Sequence, residues 1–229
     1  MKYFNQHELS KTILLEDLDT VSVNDKRYYI TPDGAKYVSV TTLLGHEKNS
    51  DKNGFLAKWK KKVGEAEAKR ITDYACDTGT SFHLSVEKYL SNDSTYLEGI
   101  SVHNKYMFLG IQKYLDKIDN VLVQEAALYS KKFKIAGRTD LIAEYENRLS
   151  IIDFKTSKKE KKEEWIEDYY LQGTCYSLML EEMTGLVIDE IVIIMVQYDG
   201  SPTVYKTTRK KHFKRLAEVM NKTMPKLLL

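Results

Sequence analysis

The sequence predicts an α/β protein whose central mixed β-sheet is flanked by helices and preceded by an N-terminal hairpin and a helical region. Helical periodicity dominates residues 55–118, and strand-like runs separated by turn residues follow over 121–155. A further helical segment over 165–183 separates these runs from two late strands. Antiparallel neighbours joined by short turns, followed by a helix and another strand, indicate a sheet of mixed direction.

The N-terminal hairpin is predicted by two strand-like runs, Tyr28 to Ile30 and Lys36 to Val40, around the turn Thr31-Pro32-Asp33-Gly34. Asp-Gly is typical of hairpin turns because both residues tolerate a left-handed backbone. Helices are then expected at Thr41 to Leu44, at Phe55 to Leu90 with an interruption near Gly79, and at about His103 to Ile118.

The sheet is predicted from apolar runs bounded by turn residues. Its strands are expected at Val121 to Tyr129, Phe133 to Tyr145, Leu149 to Lys155, Glu190 to Tyr198 and Thr203 to Thr207. Helices are expected at about Trp165 to Met183 and from about Lys210 onward. We interpret residues 1–229 as one domain, with a hairpin and helical part over 1–119, a core sheet over 120–208 and a C-terminal helix over 209–229.

Composition favours one sizeable core outside a membrane. The chain has 229 residues, of which 42% are hydrophobic and 30% charged, and no apolar run approaches the roughly 20 residues of a membrane span. Early acidic residues do not fit a signal or transit peptide, so a cytoplasmic protein without a membrane partner is expected. Two cysteines, Cys76 and Cys175, are too few for a four-cysteine zinc or iron-sulfur cluster within this chain, and both are expected to be buried.

Net charge is only +2, but the basic residues are clustered. The three clusters are Lys58, Lys60, Lys61 and Lys62; Lys158, Lys159, Lys161 and Lys162; and Arg209, Lys210, Lys211, Lys214 and Arg215. Solvated faces explain most such clusters. The second differs because it directly follows a lysine that we expect in a functional site.

The most informative segments are Gly137-Arg138-Thr139-Asp140 and Ile151-Ile152-Asp153-Phe154-Lys155. If Glu146-Asn147 form a two-residue hairpin loop, Asp140 lies opposite Asp153. Side chains alternate along a strand, so Asp153 and Lys155 share one face. The strand is apolar on both sides and is therefore expected to be buried, where unpaired charge is costly. The sequence thus predicts a functional patch of two acids and a lysine.

A third carboxylate is expected on the same face. With a two-residue loop at Lys131-Lys132, Glu125 lies opposite Arg138 and joins the side that bears Asp140. Several carboxylates suit a hard divalent cation such as Mg²⁺ or Mn²⁺, while a lysine can stabilise negative charge on a phosphate. The alternative is that Glu125 only pairs with Arg138 or a nearby lysine.

These residues resemble the PD-(D/E)XK nuclease superfamily, and within it the RecB-like exonucleases, which include phage and mitochondrial genome maintenance exonucleases. Asp140 resembles the first acidic motif, although Gly-x-x-Asp replaces the proline form, and Asp153-Phe154-Lys155-Thr156-Ser157 resembles the second. The resemblance implies a restriction-endonuclease-like core. It also implies that Asp140 and Asp153, with the backbone carbonyl of Phe154, are metal ligands, to which the predicted register adds Glu125.

Three further motifs strengthen the resemblance. Gln172 and Tyr176 resemble a Gln-x-x-x-Tyr motif, and Gly79-Thr80-Ser81-Phe82-His83 resembles a Gly-Thr-x-x-His motif whose histidine is a metal ligand. Ser39-Val40-Thr41-Thr42 resembles an N-terminal signature of the phage and mitochondrial members. By this resemblance, DNA contacts are expected from Ser39, Thr41, Thr80, Arg138, Thr156, Ser157, Lys158, Gln172 and Tyr176.

Some of these residues have a simpler interpretation. A lone histidine such as His83 is more often a hydrogen-bonded core residue than a ligand, and only its position upstream of the acidic hairpin favours the metal. Trp165 and Tyr169 form a stripe that by itself indicates core packing, and we keep both as weaker candidates for DNA contact. Glu87, one turn after His83, is expected to be exposed, with a role in supporting the metal ligands from behind as the alternative.

The resemblance implies a free-standing, Mg²⁺- or Mn²⁺-dependent DNA exonuclease, with one or two metal ions and no iron-sulfur cluster. It also implies a preference for single-stranded DNA ends and a place in a bacterial or phage-infected cytoplasm. The alternatives are a double-strand exonuclease of phage recombination, a structure-specific endonuclease on the same fold, or an inactive DNA-binding relative. The intact set of Asp140, Asp153 and Lys155 argues against the last of these.

Overall fold

One eight-stranded sheet with helices on both faces carries the fold. The structure is a computed structural model and describes residues 2–13, 15–49 and 54–227. The strands are β1 (Thr20–Val23), β2 (Lys26–Ile30), β3 (Lys36–Ser39), β4 (Ile118–Ser130), β5 (Ile135–Tyr145), β6 (Arg148–Ser157), β7 (Glu190–Gln197) and β8 (Pro202–Thr208). The helices are α1 (Val40–Asn49), α2 (Phe55–Val63), α3 (Glu65–Leu90), α4 (Val102–Leu115), α5 (Glu167–Thr184) and α6 (Arg209–Thr223).

The sheet is mixed, as the sequence predicts. Its order is β1-β2-β3-β5-β6-β7-β8, with β4 paired to β5. The pairs β3·β5 and β6·β7 are parallel, and the remaining pairs are antiparallel. Helix α5 connects β6 to the parallel β7, which is the crossover that parallel neighbours need.

Strand β5 lies where the sheet forks. Strand β4 pairs along one edge of β5. The other edge is shared, because β3 pairs with Ile135 and Ala136 whereas β6 pairs with residues from Leu141 to Tyr145. Residues 137–140 of β5 therefore lie between the two diverging strands, where their side chains and backbone can face a cleft.

Two hydrophobic cores cover the two faces of the sheet. Ile151 belongs to the core beneath α1, α5 and α6, whereas its neighbour Ile152 belongs to the core beneath α3 and α4. Both side chains are fully buried. Strand β6 is thus the buried central strand that the sequence predicts, and its charged residues are held in a largely apolar environment.

The β5–β6 hairpin has the predicted register. Glu146 and Asn147 form its two-residue loop, with φ of 51° and 65° as a type I′ turn requires. Leu141 pairs with Ile152 at the open end of the ladder. The ladder ends there, and the next contact is the Asp140 carboxylate with the N–H of Phe154, so the direct pairing of Asp140 with Asp153 stays a prediction.

The predicted register of the β4–β5 hairpin is wrong by two residues. Ala127, and not Glu125, pairs with Arg138. The turn spans residues 131–134 instead of two lysines, because the Glu182 carboxylate of α5 accepts the backbone N–H groups of Lys131 and Lys132 at 2.8 and 3.2 Å. Since a shift of two residues keeps the alternation of faces, Glu125 still points to the side of Asp140.

The N-terminal half also differs from expectation in three details. Strand β1, which pairs with β2 across the positive-φ turn Asn24-Asp25, was not predicted. Helix α3 runs through Gly79 without interruption, and the helical region breaks instead at Gly64, whose φ of 87° a residue with a side chain rarely adopts. Cys76 is exposed and only Cys175 is buried, because the first half of α3 projects into solvent.

Within the described residues, no helix has both the length and the apolar character to cross a membrane.

Candidate metal centre and active site

Three elements bring a potential ligand set together at the fork of the sheet. His83 comes from α3, Glu125 from β4 and Asp140 from β5, and one ligand atom of each lies within 4.8 Å of the others. A helix and a hairpin that are separated in sequence thus meet at one point. His83 therefore faces two carboxylates and is not enclosed in a core, and its role as a metal ligand stays a prediction.

Asp140 is fixed by two neighbours. Its Oδ2 accepts the backbone N–H of Phe154 at 2.8 Å and lies 3.5 Å from Nδ1 of His83. The backbone bond holds the carboxylate where β5 and β6 begin to separate. Only 14% of the Asp140 side chain and 29% of the His83 side chain are exposed, so the pair lies in a partly shielded position.

Asp153 and Lys155 form an ion pair on the face of β6 that looks toward α5. The Asp153 side chain is 1% exposed and that of Lys155 is 20% exposed. Burial raises the pKa of Asp153, and the contact with Lys155 opposes this effect only in part. Burial alone would lower the pKa of Lys155, but the nearby Asp153 and Asp140 carboxylates raise it, so the lysine remains an ammonium.

Glu125 has an unusual backbone. Its φ is 46°, and its carbonyl accepts a hydrogen bond from the Arg138 guanidinium. Gln124 pairs with Leu141 and Ala126 with Thr139, which places Glu125 across from Asp140.

Burial and the charges of Asp140 and Glu87 raise the pKa of Glu125 to about 7, although Arg138 acts in the opposite direction. A carboxyl group with a raised pKa takes up a proton easily. A cation bound nearby would stabilise its ionised form.

The residues present fit a divalent cation. Both carboxylate oxygens of Asp153 are buried; Lys155 contacts Oδ2, whereas Oδ1 has no hydrogen-bond partner among the described residues. An orphaned buried oxygen is costly unless a ligand satisfies it. Carboxylate oxygens with one imidazole suit Mn²⁺, and the oxygens alone suit Mg²⁺. The site therefore has both the donor atoms and the unmet charge that a metal would balance.

The ring of Tyr169 lies between two lysines. Nζ of Lys155 is 5.1 Å and Nζ of Lys161 is 4.9 Å from the ring centroid. Lys161 also donates to the Tyr169 hydroxyl at 2.6 Å, and the Tyr205 hydroxyl donates to the Lys161 carbonyl. The basic segment after β6 is thus tethered beside Lys155, and Tyr169 contacts lysine ammonium groups instead of packing only in the core.

A polar cleft of about 560 Å³ opens beside Asp140. Five residues predicted to contact DNA line it, namely Ser39, Thr41, Arg138, Gln172 and Tyr176. Nε2 of Gln172 donates to the Tyr176 hydroxyl at 3.0 Å. Gly137 makes room for that ring, because a Cβ at this position would lie 2.9 Å from Cε1 of Tyr176.

The remaining predicted contacts differ in accessibility. Thr80 and Lys158 are exposed, Thr156 is partly exposed, and Ser157 is buried with its hydroxyl donating to the Lys159 carbonyl. Ser39 is also buried, and its hydroxyl accepts the N–H of Thr42 at the start of α1. Buried hydroxyls engaged in this way hold the local backbone, so any role of Ser39 and Ser157 in binding DNA stays a prediction.

Sequence reasoning missed Asp17 and Arg27, which also line the cleft. Asp17 pairs with Arg138, and Arg27 donates to the Thr41 hydroxyl at 3.0 Å. A signal for Arg27 existed in the short alternating run that became β1 and β2. Asp17 lies in an irregular segment, and only the folded structure shows its neighbour. Glu87, expected to be exposed, is partly buried and influences Glu125.

Comparisons with known proteins agree with this geometry. The sequence profile of the PD-(D/E)XK nuclease superfamily matches residues 55–228. Mitochondrial genome maintenance exonuclease 1 of Homo sapiens is 29% identical over 174 residues, which cover 72% of this chain and 50% of the human protein. The Mus musculus protein of the same name is 32% identical over 128 residues, which cover 54% of this chain and 38% of the mouse protein. The chain thus spans half or less of the length of these curated relatives.

Among solved structures, a candidate exonuclease from Eubacterium rectale aligns with a TM-score of 0.47 and 12% identity, over 65% of each chain.

Proposed function

The chain belongs to the PD-(D/E)XK nuclease superfamily, and we propose that it is a metal-dependent deoxyribonuclease that removes nucleotides from DNA ends. The observation that carries the proposal is the convergence of His83, Glu125 and Asp140 with the buried pair of Asp153 and Lys155. An exonuclease is favoured because both mammalian relatives bear that name.

The proposed ligands are His83, Glu125, Asp140 and Asp153, together with the carbonyl of Phe154. When bound, Mg²⁺ or Mn²⁺ supplies charge neutralisation on the phosphate and a more acidic water. Lys155 places its ammonium where negative charge on the phosphate grows, and Asp153 holds that ammonium in position. The N–H of Phe154 keeps Asp140 turned toward the other ligands.

The proposed substrate is single-stranded DNA. The polar cleft beside Asp140 contains hydroxyl, amide and guanidinium groups that suit a phosphate backbone. Trp165 is 56% exposed and has the ammonium of Lys162 5.6 Å from its ring. An exposed aromatic side chain among lysines is typical of proteins that bind unpaired bases.

The proposal is tested with purified protein and three DNA substrates, namely end-labelled single strands, end-labelled duplexes and closed single-stranded circles, each with Mg²⁺, Mn²⁺ or a chelator. We expect metal-dependent release of short products from linear single strands. The closed circles should stay intact. Asp153→Asn is the matched control, because it keeps the size of the side chain and removes its charge.

Cleavage of circles would show an endonuclease, and preferential cleavage of duplexes would show a double-strand enzyme. Activity of Asp153→Asn near that of the wild type would contradict the proposed site. If the wild type cleaves none of the substrates with either metal, the proposed activity is wrong and the protein is an inactive DNA-binding relative.

A further inference from the structure

An ordered group of aromatic side chains lies near the candidate active site, between α3, α4 and the turn after β7. It consists of Tyr74, His103 and Tyr198, and we call it the aromatic cluster. The rings of Tyr74 and His103 are nearly parallel, with centroids 6.3 Å apart and planes inclined by 15°. Tyr198 meets the two rings nearly at right angles, at 6.1 and 5.1 Å.

Hydrogen bonds fix the orientation of these rings. Nε2 of His103 lies 3.0 Å from the Tyr198 carbonyl, which can only accept, so Nε2 donates. In the neutral imidazole Nδ1 is then an acceptor, and the Tyr74 hydroxyl donates to it at 3.0 Å. The position of the Tyr74 ring is therefore set by this hydrogen bond together with the edge contact with Tyr198.

The cluster is nevertheless accessible. Tyr74 is 50% exposed, and on the adjoining surface of α4 Val102 and Tyr106 are 84% and 57% exposed. Burying such side chains would stabilise the protein, so their exposure calls for another explanation. A fixed aromatic ring with an accessible surface is what stacking on a nucleic-acid base requires.

The cluster is connected directly to the candidate active site. The N–H of Tyr198 donates to the carbonyl of Ser157 at 2.9 Å, two residues after Lys155. Helix α3 passes the same end of β6, since a Cβ on Gly79 would lie 3.8 Å from Oγ1 of Thr156.

Along α3, Tyr74 precedes His83 by nine residues, which corresponds to about 14 Å of helix axis and to two and a half turns, so the two side chains point to opposite sides of the helix. A stacked strand rises about 3.4 Å per nucleotide, so a stacked strand that also passes around the helix needs about four nucleotides or more to join the two side chains.

Positive charge lies on the same path. Lys158 and Lys159 follow Ser157 and are exposed. Ammonium groups at this position can contact phosphates while the aromatic cluster contacts a base. Together these features suit a single strand better than a duplex, whose bases are not available for stacking on a side chain.

We propose that the aromatic cluster is a base-stacking subsite for single-stranded DNA, in which one base lies on Tyr74 about four or more nucleotides from the cleaved bond. The inference rests on the proposed function, because it assumes that a strand enters the site at Asp140 and Lys155. It adds a position at which the enzyme holds its substrate without touching the reacting phosphate.

The test measures binding of a labelled single-stranded oligodeoxythymidine by fluorescence anisotropy in a chelator, so that no cleavage occurs. Tyr74→Ala should weaken binding by about 5- to 150-fold. Tyr74→Phe keeps the ring and should retain most of the affinity. Tyr3→Ala is the matched control, since Tyr3 is 73% exposed and its neighbour Phe4 is bonded to Asn92 beyond the other end of α3.

A single abasic nucleotide moved along the oligonucleotide locates the subsite. At the position that stacks on Tyr74, the abasic nucleotide should weaken binding to the wild type. The same abasic nucleotide should leave the affinity of Tyr74→Ala unchanged, because that variant has no ring for the base to contact. Equal affinities of the wild type and Tyr74→Ala, or an equal loss in Tyr3→Ala, would overturn the subsite.

If the wild type cleaves single strands while Tyr74→Ala binds them normally, only the subsite is wrong. If the wild type neither binds nor cleaves them, both proposals are wrong.

Discussion

At the scale of single residues, the candidate site holds more carboxylate than its own cations balance. Lys155 is in contact with Asp153, while Glu125 and Asp140 converge on the ring of His83. The pKa of Glu125 is raised to about 7 by burial first and by neighbouring carboxylates second. In the metal-free protein Glu125 therefore keeps its proton close to neutral pH, and cation binding should release it.

Glu125→Gln should make the metal-free protein more stable at pH 8 and leave it unchanged at pH 4. The folded-state pKa of about 7 exceeds the ordinary value of 4.5. As the pH rises, the unfolded chain therefore releases this proton at a lower pH than the folded protein does. Stability is consequently lost as the pH rises from about 4.5 to 7 and stays lost above it. Because Glu125 is partly solvated, we expect a gain of only about 1–2 kcal/mol at pH 8, measured by urea unfolding with a chelator. Equal gains at both pH values would contradict this titration.

Tyr169 is expected to position the proposed catalytic lysine. Its ring contacts the ammonium groups of Lys155 and Lys161. Tyr169→Leu should lower the rate constant for bound substrate by about 3- to 30-fold, because a cation–π contact of about 0.5–2 kcal/mol is lost. Tyr169→Phe keeps that contact and should recover most of the rate. Single-turnover kinetics with saturating enzyme separates this effect from affinity, and an equal loss in both variants would assign the effect to the hydroxyl and Lys161.

Most of the residues in the centre could be predicted because strand alternation is local. Asp153 and Lys155 share a face in any strand that contains them. Glu125 reached the correct side in spite of a wrong register, since an error of two residues preserves the face. The contact of Asp17 with Arg138 could not be predicted, because it joins an irregular segment to a distant strand.

At the scale of elements, the two central hairpins show where local sequence suffices. Glu146 and Asn147 form the turn of β5–β6 with their own backbone preferences, and its register follows. The turn of β4–β5 depends instead on Glu182, which is about 50 residues further along the chain and accepts hydrogen bonds from the Ser130 hydroxyl and two backbone amides. Such a cap cannot be read from the turn sequence.

Removing this cap should destabilise the protein without changing the chemistry of the site. Glu182→Ala leaves the Ser130 hydroxyl and the N–H groups of Lys131 and Lys132 without their charged acceptor, which we expect to cost about 2–3 kcal/mol in urea unfolding. Glu182→Gln keeps one acceptor oxygen and should cost less. A loss below about 0.5 kcal/mol in Glu182→Ala would show that the four-residue turn is stable by itself.

At the scale of the whole molecule, the sequence predicts a sheet of mixed direction but not which strands form its parallel pairs. Strand β3 joins β5 across nearly a hundred residues, and β6 joins β7 through the crossover helix α5. These pairings create the fork at residues 137–140 and bring α3 over it. The centre therefore depends on the complete fold, and a ligand bound there should stabilise the entire protein.

Mn²⁺ should raise the thermal unfolding temperature of the wild type by about 5–10 °C when present at roughly a hundred times its dissociation constant. That excess stabilises the native state by about 2.7 kcal/mol, and each kcal/mol corresponds to about 2–4 °C for a chain of this length. Asp140→Asn can still accept the N–H of Phe154 through its carbonyl, yet it removes a ligand charge, so it should lose most of this shift. Glu144→Gln, on the same strand and bonded to Asn120, is the control and should respond as the wild type does. A full shift in Asp140→Asn, measured by scanning calorimetry, would mean that Mn²⁺ binds elsewhere and that the converging residues of α3, β4 and β5 are not its site.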